Sequence, residues 1–218
     1  MSIYGPFFRA CRAVLRAVRP RYTAKCEEKA PSPAVFVVHH QNLKGPMNVL
    51  MWYPRETRLW SLDCFFTFRG AYRQYMDFTF TKRYGMPRWL AAVPAAVAAA
   101  VVSRIYRSGG FIPVYRGSKR IIETFRESGE ALARGESLLI CPDVAYSSEQ
   151  DGIGEIYEGF VSVERYAMRA CGRHAAFVPL KLDHEKQTIT ALPAVFFGDG
   201  DYREEKKRVA AELQKALS

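Results

Sequence analysis

No Cys-x-x-Cys pair, no internal repeat, no low-complexity linker and no uninterrupted apolar run of membrane-spanning length occurs in this sequence. The five cysteines, Cys11, Cys26, Cys64, Cys141 and Cys171, are scattered and odd in number. That spacing excludes paired-cysteine zinc and dithiol motifs and reads as free thiols in a reducing compartment. The longest apolar run, residues 89–102, carries Pro94 and falls short of the ~20 residues that a spanning helix needs. No conventional transmembrane helix is therefore expected. Residues 1–21 are broken by Arg9, Arg12, Arg16, Arg19 and Arg21, which leaves no apolar centre for a signal peptide. Acid is scarce relative to base: 22 Asp and Glu against 32 Lys and Arg give a formal charge of +10. The surplus favours an anionic partner. With no recognisable RNA- or DNA-binding motif, nucleic acid is not the expected one.

What the chain does have is apolar content. At 218 residues and 49% hydrophobic, it has the material for one domain with a sizeable core. Residues 1–21 form the first segment. Phe7, Phe8, Cys11, Val14, Leu15 and Val18 recur at helical spacing over residues 4–19, with arginines between them and Pro20 after them. Such a basic amphipathic helix either lies on an anionic membrane or packs its apolar side on the domain. Residues 22–218 read as an α/β domain. Strands are expected at 22–26, 34–38, 58–66, 111–115, 137–141, 176–182 and 188–197. Helices are expected at 47–53, 71–81, 89–103, 119–134, 160–171 and 202–217. Their alternation predicts a mixed, largely buried sheet flanked by helices. The helix at 89–103 is apolar nearly all round, so it is either core or lipid-facing. The aromatics Tyr72, Tyr75, Phe78 and Phe80 read as packing residues.

One strand end stands out. The apolar run 34–38 stops at His39-His40, followed by Gln41-Asn42-Leu43-Lys44-Gly45-Pro46. An imidazole at a strand end titrates near neutral pH and can take a proton from a hydroxyl. Adjacent residues of an extended chain point to opposite sides, so His39 and His40 cannot both face one pocket. No third ligand at a recognisable spacing supports a metal site.

The blocks downstream occur in a telling order. Gly110-Phe111-Ile112-Pro113-Val114-Tyr115-Arg116 is a strand closed by Gly117. Cys141-Pro142-Asp143-Val144-Ala145-Tyr146-Ser147 ends another strand, Gly159 opens a helix, and Val178-Pro179-Leu180 begins a third strand. With the histidine turn in front, this order resembles the glycerolipid acyltransferase family, of the lysophosphatidic acid acyltransferase type, over roughly residues 19–198. That family's motifs are Asn-His-x-x-x-x-Asp, Gly-apolar-Arg, Phe-Pro-Glu-Gly-Thr-Arg-Ser and Val-Pro-apolar. Here Gly45 stands where the first motif has its aspartate, and Val144-Ala145-Tyr146 replaces Gly-Thr-Arg in the third.

The resemblance implies transfer of an acyl group from acyl-CoA or acyl-carrier protein to a glycerol hydroxyl of a lysophospholipid or glycerol phosphate, a step of phospholipid biosynthesis. It implies His40 as general base and Asp143 in the place of the motif glutamate. Arg116 would hold the acceptor phosphate, with Gly110 and Gly117 beside it. Asp143 or a backbone carbonyl is the candidate to replace the missing aspartate. No cofactor and no metal are implied. An anionic membrane surface is the expected partner and the cytoplasmic side of a membrane the expected location. The departures at Gly45 and in the third motif also fit a catalytically impaired relative that binds lysophospholipid or an acyl chain.

Overall fold

The computed structural model describes residues 2–26, 30–145 and 152–218. Tyr146 and Ser147 of the third motif, and parts of the expected loops at 27–33 and 144–157, lie outside the described residues. In chain order the elements begin with α1 (Pro6–Val18), β1 (Thr23–Cys26), β2 (Val35–Val38), α2 (Lys44–Trp52) and β3 (Thr57–Leu62). Helix α3 (Phe68–Arg73) continues as a π-helical stretch, Gln74–Arg83, and α4 (Arg88–Ser108) and β4 (Ile112–Val114) follow. The second half runs α5 (Ile121–Ala133), β5 (Ser137–Ile140), α6 (Val163–Cys171), β6 (Phe177–Asp183), β7 (Thr188–Ala191) and α7 (Tyr202–Leu217). Among the described residues seven strands form a mixed sheet in the order β1-β7-β6-β2-β5-β3-β4, as the alternating pattern predicts. Every pairing is parallel except the β6–β7 hairpin.

The chain divides into two compact units. One comprises Met1–Val14 and Trp60–Thr124, the other Leu15–Leu59 and Phe125–Ser218. The crossings fall inside α1, β3 and α5, so no Gly- or Ser-rich linker marks them in the sequence.

In the larger unit, β2 and β5 lie side by side and are buried along their whole length, as parallel strands covered on both faces must be. Their Val-Phe-Val-Val and Ser-Leu-Leu-Ile sequences suit that position. Ser137 Oγ accepts the Ala34 N–H at 3.2 Å, which satisfies a backbone donor at the start of the pair. Strand β7 is shorter than the expected 188–197. The Leu192 N–H still bonds Pro179 O, but Pro193 has no N–H to offer the ladder. Pairing resumes only as a single bridge between Val195 and Phe177. Helix α7 seats Val209, Leu213 and Leu217 in the core.

The smaller unit holds the second half of β3 paired with β4, and a helical layer. There α4 packs on the preceding helix: Ala91 and Ala95 meet Met76, with Tyr72, Tyr75 and Phe80 around them. Helix α4 corrects the sequence expectation. It runs 21 residues and is long and apolar enough to cross a membrane, by length and composition alone. The apolar run ends before Ser103 and Arg104, but a helix accommodates both. Ser103 is buried in it, and the Arg107 Nε–H bonds Ser103 O at 3.2 Å. The first half of α1 is tied to the end of α4. The Gly5 N–H donates to Ser108 O at 2.7 Å and the Phe8 N–H to Ser108 Oγ at 3.0 Å, while Phe8 packs edge-on against Phe111. Helix α1 thus buries Phe8 but leaves Val14 and Val18 exposed.

Gly129, which weakens α5 on propensity, has a packing reason. A methyl group there would stand 2.7 Å from Tyr166 O on α6. Gly129→Ala gains ~1 kcal/mol of helix propensity but overpacks a helix contact at a cost of ~1–3 kcal/mol. A lower urea midpoint is expected; a higher one would show that α5 and α6 separate at little cost.

Candidate functional site

Val37 of β2 lies level with Ile140 of β5. The two parallel strands therefore end close together, and His39, directly after β2, meets Asp143, three residues after β5, beyond the sheet. The carboxyl ends of parallel strands are where an open α/β sheet presents chemistry. The His39 Nδ1–H donates to Asp143 Oδ1, and both side chains are buried. The other carboxylate oxygen, Oδ2, accepts the His40 backbone N–H at 3.0 Å. Two N–H donors suit an ionised, acceptor-only carboxylate. Asp143 itself is pinned by the returning chain. It bridges Ile156, while the Val144 N–H reaches Glu155 O at 3.0 Å and the Tyr157 N–H reaches Pro142 O at 2.7 Å.

The two histidines have different work. Donation from Nδ1 leaves Nε2 of His39 as the basic nitrogen, the tautomer that a carboxylate imposes on a general base. The ring of His40, half-buried, turns back on the chain, and its Nδ1 accepts the Leu43 N–H at 3.2 Å. Its proton then sits on Nε2. Of the two adjacent rings it is that of His39, and not that of His40, that meets Asp143.

The turn that follows is strained. Gln41, Asn42 and Leu43 have φ of 43°, 50° and 75°. Left-handed backbone costs ~1–2 kcal/mol at each such residue. The turn is held from several sides. Buried Gln41 accepts at Oε1 from His184 Nε2–H at 2.7 Å, and Tyr22 O–H donates to His184 Nδ1 at 2.7 Å. Burial raises the Tyr22 pKa, so the phenol stays protonated and able to donate. Gly45 closes the turn, its N–H bonding His40 O at 3.2 Å. A Cβ on Gly45 would lie 1.8 Å from His39 O. Gly45 is therefore a close approach of backbone to backbone, with no space for an aspartate, and the acid arrives from β5 as Asp143.

Asp143 has one further neighbour of note. Burial, and then the Asp143 carboxylate, raise the Cys141 thiol well above its usual value. Cys141 is thus a protonated thiol, unsuited to nucleophilic work. Arg116, Gly110 and Gly117 belong to the smaller unit. Arg116 is exposed just past β4, its N–H bonding Val114 O at 3.1 Å, and Gly110 and Gly117 take left-handed turns at φ 62° and 69°. Among the described residues no cluster of three or more His, Cys, Asp or Glu side chains is arranged to hold a metal. Gln41 and His184 carried no signal in the sequence: a glutamine in a turn and a histidine at a hairpin tip acquire meaning only from the fold.

The crystal structure of the 1-acyl-sn-glycerophosphate (LPA) acyltransferase PlsC from Thermotoga maritima is similar to this chain, with a TM-score of 0.50 at 10% sequence identity. The similarity covers 97% of this chain and 75% of that one. At that identity it establishes a shared fold. No protein-family model and no curated protein matches the sequence.

Two outcomes follow from the geometry. Gly45→Asp does not restore an acid to the turn. It costs ~3 kcal/mol or prevents folding, read as a lowered urea midpoint or loss of soluble protein. Alkylation of Cys141, followed by peptide mapping, rises only well above pH 9, and Asp143→Asn shifts that rise to lower pH.

Proposed function

We propose that the protein is an acyltransferase that moves an acyl group from acyl-CoA or acyl-carrier protein to a hydroxyl of a lysophospholipid or glycerol phosphate. The observation that carries the reading is the buried His39 ring held by the Asp143 carboxylate at the ends of adjacent parallel strands, in a fold shared with an LPA acyltransferase.

In this reading His39 Nε2 takes the proton of the acceptor hydroxyl as its oxygen attacks the thioester carbonyl carbon. The tetrahedral intermediate collapses, the C–S bond breaks, and the leaving sulfur takes the proton back from the imidazolium. The ester and the free thiol are the products, and no group stays attached to the enzyme. Asp143 positions the ring and stabilises the imidazolium while it lasts. His40 shapes the turn with its own ring and helps fix Asp143 through its backbone N–H. For the acceptor phosphate we keep the assignment of Arg116, whose guanidinium matches phosphate oxygens bidentately. An anionic membrane surface, met by the arginines of α1, would supply the lipid acceptor on the cytoplasmic side.

The test is transfer from radiolabelled acyl-CoA or acyl-carrier protein to a panel of lysophospholipids by purified protein. His39→Ala is expected to reduce transfer to background. Asp143→Asn should lower kcat by ~10⁴, whereas His40→Ala should keep most of the activity. Arg116→Ala should raise KM for phosphate-bearing acceptors and leave kcat nearly unchanged. Activity that survives His39→Ala but not His40→Ala overturns the assignment of the base. Binding of lysophospholipid by the wild-type protein without turnover identifies the impaired relative instead.

A further inference from the structure

Helix α4 is built inside out for a water-soluble surface. Its small residues, Ala91, Ala95, Ala99 and Ser103, recur every fourth position and are buried at 0–2% exposure. Its large ones follow the same spacing on the opposite side: Trp89 is 79% exposed, Val93 72% and Val97 60%, and Leu90 and Val101 are exposed as well. An ordinary amphipathic helix buries its large apolar side chains and shows its small ones. A continuous apolar stripe turned outward marks an interaction surface.

Charge decides the partner. Between Asp77 and Glu123 the sequence contains eight Lys and Arg and no Asp or Glu. Arg88, Arg104 and Arg107 are exposed at the two ends of the helix, with Lys82 and Arg83 just before it. An apolar stripe with basic residues at its ends and a tryptophan at its start fits the interface of an anionic bilayer. At ~1.5 Å per residue the helix is ~31 Å long, enough to cross. The helix packed against it argues otherwise. Arg69, Arg73 and Asp77 are exposed on α3 and its π-helical continuation, and Asp77 bonds Arg88 at 2.7 Å. A spanning α4 would draw these charges into hydrocarbon, where they are costly.

We propose that α4 lies in the plane of an anionic membrane interface, with Trp89, Leu90, Val93, Val97 and Val101 among the acyl chains and the flanking arginines at the phosphates, and does not cross. This rests on the membrane location proposed above and adds to the charge contacts of α1 an apolar insertion surface of its own.

The experiment is flotation with vesicles of phosphatidylglycerol and phosphatidylcholine, combined with depth-resolved tryptophan quenching by brominated lipids. The wild-type chain is expected to stay bound at 0.5 M salt on the order of the experiment's upper range. Val93→Glu/Val97→Glu replaces two exposed side chains and should fold normally by circular dichroism. It should still bind at low salt and lose binding ~10-fold or more at high salt. Trp89, measured as the difference from Trp89→Phe, and a tryptophan introduced by Val97→Trp in that background should both be quenched best by shallow bromines. Quenching of the Val97→Trp probe by deep bromines, with Trp89 shallow, overturns the in-plane arrangement in favour of a span. Equal release of wild type and Val93→Glu/Val97→Glu by salt overturns insertion and leaves adsorption through α1. Absence of binding at any salt overturns the membrane reading as a whole.

Discussion

The hydrogen bond between His39 Nδ1 and Asp143 joins the ends of two central strands, and the arrangement of the candidate site follows from it. The bond sets the tautomer of one histidine. The backbone N–H of the next residue completes the carboxylate's coordination, which turns the second ring away and onto the following turn.

Stability alone does not explain this arrangement. Taking a carboxylate out of water costs several kcal/mol, and the hydrogen bonds from His39 and the His40 backbone offset that cost without making burial a clear gain. Three successive left-handed residues add to the local cost. The turn is kept by bonds from Tyr22, His184 and the His40 ring, each worth ~1 kcal/mol. A strained, polar, buried turn at the carboxyl ends of parallel strands is a pattern found at functional sites, and it supports the function proposed above. The outward stripe of α4 is a second local inversion, in which the rule for burying large apolar residues is broken.

The fold was legible because its signals are periodic. The run at 34–38 is short, apolar and bounded by turn residues, and the amphipathic stretches at 4–19, 119–134 and 202–217 appear as α1, α5 and α7 within a few residues. Element ends were less legible. Pro193 halts the β7 ladder because it has no N–H to donate, while Ser103 and Arg104 do not halt α4, where packing carries the helix past the end of the apolar run. Within the site, the block order located the histidine turn and Asp143, but spacing could not say which ring would meet the acid. That choice depends on how two strands end side by side, a long-range fact. Gly45 read as a missing aspartate because a sequence does not show that His39 O occupies the space. The division into two units was hidden because its crossings run through the interiors of α1, β3 and α5.

The most direct test of the central claim is the tautomeric state of the two adjacent histidines, read from ¹⁵N-edited NMR of the imidazoles above their titration range. His39 should carry its proton on Nδ1, with an unprotonated Nε2, and should lose that preference in Asp143→Asn. His40 should carry its proton on Nε2. The reverse assignment, or a His39 signal indifferent to the loss of Asp143, would contradict the account.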